Sequence, residues 1–185
     1  MYKRILIVTG NRDADRAALK EGLALAKVHS AEVLLYHVLP NYAATVADMA
    51  PMLLVSPKDF RREARREAKR IIGEARMMAY KAGIGSLDGI GDGTDAAECV
   101  ASAAKIGRCD LIVVGTEGRN ALTRLIAGSV IPGLITRSTV PVLVCRKRPG
   151  SRVAKRAPIP IRPRNTRLAA VAKASRSSAK VALMH

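Results

Sequence analysis

At 185 residues and a net charge of +17, the chain is long enough for one domain and an appendage. Hydrophobic residues make up 49% of it but aromatic ones only 3%, so its core must be packed from Val, Ile, Leu, Ala and Met, as in a parallel sheet covered by helices on both faces. No apolar run approaches the roughly 18 residues of a membrane span, and three cysteines without paired spacing (Cys99, Cys109, Cys145) argue against a disulfide framework or a metal site.

Burial as small apolar groups is the simpler role for all three cysteines. The opening MYKRILIVTG has too short an apolar run for a secretory leader and no small-residue cleavage site, so a cytoplasmic protein is expected. Ile5 to Val8 reads as a short buried strand ending at Thr9-Gly10-Asn11. Asp13 is a plausible cap for a helix through Val28, with Ala17, Ala18, Leu23 and Leu25 among its apolar positions. Glu32 to Leu39 is a second buried strand, closed by Pro40. Two continuously apolar strands around one helix imply a right-handed parallel crossover.

Residues 41–55 are an ambiguous insertion. Ser56-Pro57 then opens a helix that runs to about Ala82 and stops at Gly83. Its doubled basic residues (Arg61/Arg62, Arg65/Arg66, Lys69/Arg70) alternate with Glu63, Glu67 and Glu74. That pattern reads as a solvated, ion-paired face rather than a nucleic-acid surface. A third strand falls within Ile84 to Ile90, crowded by glycines that weaken it. Thr94-Asp95 caps a helix from Ala96 to Ile106, with Gly107 as its stop. Leu111 to Val114 is the fourth strand, a helix follows Ser129, and Val140 to Cys145 is the fifth strand, entered through Pro141.

The alternation predicts an α/β domain, a five-stranded open parallel sheet wound on both faces. Such sheets bind ligands beyond the carboxyl ends of their strands, where the strand order reverses. Thr9-Gly10, Val38 and Gly115 would converge there. After Val114 come Gly115, Gly118, Gly128 and Ser129, the last two heading a helix. Bare backbone amides and a helix N-terminus can hold a phosphate chain. Ser129 can cap its helix or donate to a phosphate oxygen, and Arg119 and Arg124 flank the motif. No G-K-[S/T] occurs, no carboxylates show two-metal spacing, and His37 inside an apolar strand reads as a buried, satisfied side chain. Binding is therefore expected rather than catalysis.

The spacing G-x2-G-x9-G-S over Gly115, Gly118, Gly128 and Ser129 resembles the nucleotide-binding branch of the universal stress protein family. The likeness extends over residues 1–146 through ILIVTG, LLYHVL, GTDAAECV and VPVLVCR. It implies a Rossmann-like fold of the adenine nucleotide alpha hydrolase type and a stress-response regulator binding ATP, with or without Mg2+, with slow hydrolysis at most. By that resemblance Thr9 and Gly10 line the nucleoside and the backbone at Val38 meets the adenine. Gly115, Gly118, Gly128, Ser129 and Val130 cradle the phosphates, and Val140 to Cys145 pairs two copies into a homodimer; Val114 and the flanking Arg119 complete the expected nucleotide-binding set. One departure stands out. Gly10 occupies the position where that branch usually carries an Asp contacting the nucleoside, and neither Asn11 nor Asp13 is in register to replace it. A carboxylate contact is worth about 1–3 kcal/mol, or one to two decades of affinity. The alternative is a family member that binds no nucleotide and acts as an interaction scaffold.

Residues 147–185 form a second unit, with eleven basic residues and no acid. Pro158, Pro160 and Pro163 favour an extended linker, and the stretch from Thr166 has only a weak, alanine-rich apolar face. Nucleic acid, an anionic membrane surface or an acidic protein are the partners such a tail fits. The absence of aromatic residues there argues against base stacking.

Overall fold

A computed structural model describes residues 1–47, 55–116 and 130–146. Along the chain these form β1 (Arg4–Val8), α1 (Asp13–His29), β2 (Glu32–Val38), α2 (Tyr42–Ala47), α3 (Pro57–Lys81), β3 (Ser86–Gly91), α4 (Ala96–Ile106), β4 (Leu111–Thr116), α5 (Val130–Arg137) and β5 (Val142–Arg146). The five strands are all parallel, in the order β3-β2-β1-β4-β5. The chain steps outward from β1 through β2 to β3, then returns past β1 to β4 and β5. The reversal point lies between β1 and β4.

Alternation along the strands feeds two cores. Ile5, Ile7, Val33, Leu35, Leu111 and Val113 pack against α1 and α3, while Leu6, Leu34, Ile112 and Val114 pack against α4 and α5. Strand β1 is central and covered on both faces, so Ile5, Leu6 and Ile7 are all fully buried. Each such side chain contributes about 1.5–3 kcal/mol of transfer free energy. That is why these strands read as unbroken apolar runs.

The helix starts follow the expected capping chemistry in two cases. The Ser56 hydroxyl accepts the Asp59 N–H at 3.1 Å with Pro57 in the first turn, and the Asp95 carboxylate accepts from the Ala97 and Glu98 N–H groups at 2.9 and 3.2 Å. Helix α1 differs. Arg12 holds the extended cap position, Asp13 is already helical, and the Asp15 carboxylate reaches back to accept the Arg12 N–H at 3.2 Å. Strand β3 extends to Gly91 despite its glycines, because the Tyr36 ring of β2 lies across Gly89 and Gly91 and fills the space their side chains would take.

Three further expectations are corrected. Strand β5 begins at Val142, since Val140 is drawn into a turn by the Ser138 hydroxyl. Gly115 lies inside β4, which runs on to Thr116. Cys109 and Cys145 are buried, but Cys99 is only partly so, because its neighbours Gly91 and Gly93 carry no side chains to cover it.

The basic face of α3 is ion-paired as its sequence suggests, with Arg70 between Glu67 and Glu74. Arg65 and Arg61 reach further, to Asp92 beyond β3 at 2.8 and 3.8 Å, and so tie the helix to the sheet edge. Exposed pairs of this kind contribute about 0–1 kcal/mol each.

Helix α5 is anchored to the second core by Leu134, its one buried residue. Leu134→Ala is expected to lower unfolding stability by about 2–5 kcal/mol, read from urea denaturation.

Candidate functional site

The register aligns Val8 with Tyr36 and Ile7 with Val113, so β2 and β4 each run about two residues beyond the end of β1, which lies recessed between them. Thr9 stitches the end of β1 to β2. Its N–H donates to the Tyr36 carbonyl at 2.8 Å and its hydroxyl to the same oxygen at 3.1 Å. The Thr9 carbonyl in turn receives His37 Nδ1 at 2.8 Å. A carbonyl can only accept, so Nδ1 carries the proton. Burial pushes the His37 pKa below its usual 6.5, opposed by that hydrogen bond and by the charges of Asp15 and Glu67. His37 is thus half-buried and satisfied at Nδ1, as its position in an apolar strand suggests.

Position 10 is bare for a spatial reason. A Cβ on Gly10 would stand 2.7 Å from Asp15 Cγ, and closer still to Oδ2. The carboxylate of Asp15, a residue only 4% exposed, therefore fills the space above the end of β1. Arg12 grips it with two charge-assisted bonds, Nε to Oδ2 at 2.9 Å and Nη2 to Oδ1 at 2.8 Å. Sequence reasoning missed this residue. Its signal was the spacing of a strand-end glycine, an arginine at the helix cap and an acid three residues later, the geometry of a cap that reaches back.

Gly115 is equally constrained. A Cβ there would stand 2.7 Å from the Asp15 backbone N and closer to the Ala14 carbonyl. Because those atoms belong to the backbone, they cannot swing aside, so only glycine lets β4 pass the first turn of α1. Val114 is buried against α4 and α5, Val38 is half-buried at the end of β2, and Val130 opens α5. Gly118, Arg119, Gly128 and Ser129, with Glu117 and Arg124, lie outside the described residues.

Two helices begin beyond these strand ends, and their first turns differ. The α1 terminus carries Asp13 and Asp15, so its dipole is already met by its own acids. Helix α5 has no acid in its first turn. Of the two, α5 is the one suited to an anion.

The model of the universal stress protein family matches residues 1–146. A universal stress protein of Methanocaldococcus jannaschii is 30% identical over 151 residues, covering 80% of this chain and 84% of its own. The solved structure of another protein from that organism superposes with a TM-score of 0.64 at 26% identity, covering 80% of this chain and 98% of that one. An Arabidopsis thaliana family protein with AMP bound shares the fold at a TM-score of 0.58 and 17% identity, covering 80% and 93%. Other solved structures sharing the fold hold cAMP and dAMP.

Gly115→Ala should destabilise the protein by about 1–3 kcal/mol in urea denaturation without any nucleotide present, since the strain is internal. The lowered His37 pKa has a definite sign. Its contribution to stability is present above the ordinary histidine value and is lost as pH falls through the folded one. NMR titration should find the His37 imidazole below 6.5, and His37→Asn should remove that part of the pH dependence of urea midpoints.

Proposed function

The chain belongs to the universal stress protein family, and from that premise we propose that it is a stress-response regulator binding an adenine nucleotide, ATP, beyond the ends of β1, β2 and β4. The observation that carries this reading is the reversal point between β1 and β4, where β1 ends recessed between the longer β2 and β4 and the helix leading to β5 opens with no acid. Gly118, Gly128 and Ser129 precede that helix in sequence and supply the spacing that phosphate cradles use. Relatives of the same fold that hold AMP, cAMP or dAMP support an adenine nucleotide. ATP would meet the neutral His37 and the Thr9–Tyr36 stitch on its nucleoside side. Mg2+, if used, would be carried on the phosphates.

The role is binding and signalling rather than turnover, in the cytoplasm. No helix among the described residues is long and apolar enough to cross a membrane. Mass spectrometry of nucleotide released from purified protein, with calorimetry in the presence and absence of Mg2+, tests the reading. The wild type should yield an adenine nucleotide, and Gly118→Val should weaken ATP binding at least about tenfold, or 1.4 kcal/mol. Absence of nucleotide in both, with no calorimetric signal, would favour the scaffold.

A homodimer through β5 belongs to the same proposal. Among the described residues this strand is a sheet edge, and its Leu143 and Val144 are each 37% exposed, apolar surface that favours pairing with a second copy. The basic residues 147–185 follow β5 in sequence, and their charge suits an acidic protein or nucleic acid as a further partner. Light scattering of the full chain and of one ending at residue 149 should give a dimer in both. A full-length monomer beside a truncated dimer would show that the tail covers the edge instead.

A further inference from the structure

We propose that Asp15 selects the sugar of the bound nucleotide, its carboxylate arriving from α1 in the space that a side chain at position 10 would hold. This deepens the nucleotide-binding reading and rests on it. The placement is direct. A Cβ on Gly10 would lie within 2.7 Å of Asp15 Cγ, so the carboxylate sits over the end of the central strand. Gly115 abuts the Asp15 backbone N from the other side, which sets the residue in the crevice between β1 and β4. Open α/β sheets take their ligands at that crevice, and in dinucleotide-binding sheets an acid about 20 residues beyond the first turn receives the ribose 2′-hydroxyl, which is the chemistry a carboxylate so placed can supply.

The chemistry of the group fits. An ionised carboxylate only accepts, with about four lone-pair positions. Oδ2 takes the Arg12 N–H and Nε, and Oδ1 takes Nη2, which leaves capacity on Oδ1. The Arg12 side chain is 55% exposed against 4% for Asp15, so the guanidinium is the solvent-facing partner and the carboxylate the buried one. A ribose hydroxyl replaces an Arg12 N–H as donor, one for one. The Arg12 backbone N–H still fixes the carboxylate in place. Without a cation over it, a carboxylate this buried is costly, which accounts for the Arg12 ion pair. The ligand class that follows is the ribonucleotide, preferred over its deoxy counterparts.

Calorimetry of the full chain with ATP, 2′-deoxy-ATP and 3′-deoxy-ATP tests the assignment. The wild type should bind ATP about tenfold more tightly than at least one deoxy analogue, the weight of one hydrogen bond to a charged group. Asp15→Asn should bring all three to within about twofold while keeping phosphate-dependent binding. A residue that merely capped α1 would shift all three affinities together and leave their ratio intact. The double variant Gly10→Asp with Asp15→Ala returns the carboxylate to the strand and should restore discrimination, whereas Gly10→Asp alone crowds two carboxylates and should lower the melting temperature. Unchanged ratios in Asp15→Asn, or no ribose preference in the wild type, overturn the role of Asp15 alone. A wild type that binds no adenine nucleotide overturns the nucleotide reading as well.

Discussion

The first turn of α1 lies directly on the ends of β1 and β4, and the rest of the site is arranged around that contact. Two glycines follow from it. Gly10 leaves room for the Asp15 carboxylate, and Gly115 leaves room for the Ala14 and Asp15 backbone. Either could be mistaken for a loop glycine freed for a ligand, but both are explained by the helix above them. The contact fixes the depth at which α1 enters the fold, and hence the apolar stripe of Ala18, Leu19, Leu23 and Ala26 that it presents to the first core. Core packing and site geometry are here set by the same few atoms.

The same contact divides the electrostatics of the site. The positive end of the α1 dipole is met by Asp13 and Asp15, with Arg12 balancing the buried carboxylate. That end therefore offers hydrogen-bond acceptors more than attraction for an anion. Helix α5 is the reverse, with no acid in its first turn and a basic residue, Arg137, in its last. Arg137 reaches the α4 cap Asp95 at 2.8 Å and so fastens α5 to α4. Hydrogen bonds from Glu98 and Ala97 and the charge of Arg137 hold the Asp95 carboxyl below its usual range. A ligand with a neutral hydroxylated part and an anionic part matches this division, the first toward α1 and the second toward α5.

Much of the frame was legible in the sequence because burial on both faces leaves a simple trace. The runs at Ile5–Val8, Glu32–Leu39 and Leu111–Val114 are apolar without alternation, and each is a strand of the parallel sheet. Ser56-Pro57 and Asp95 marked helix starts through chemistry local to three or four residues. Edges were less clear. Strand β3 is held by pairing with β2 and by the Tyr36 ring, and β5 is displaced by a side-chain turn at Ser138, neither of which shows in a window of a few residues. In the site, His37 was placed well because a histidine within an apolar strand has few alternatives. Asp15 was not, since its importance depends on which atoms stand over Gly10, a relation between two elements rather than a motif within one.

The glycine motif gains from this distinction. Its first member, Gly115, is required by the close passage of β4 and α1 whether or not a ligand is present. It therefore weighs less as a sign of phosphate binding than a match of four positions suggests. The weight shifts to the reversal point of the sheet and to the acid-free start of α5, which owe nothing to the packing of Gly115. Gly10 changes in the opposite direction. Taken alone it is a missing carboxylate, but beside Asp15 it is the opening through which a carboxylate reaches the end of β1. A single absent Cβ thus couples the capping of α1 to the chemistry at the centre of the sheet, because any side chain at position 10 must displace the Asp15 carboxylate.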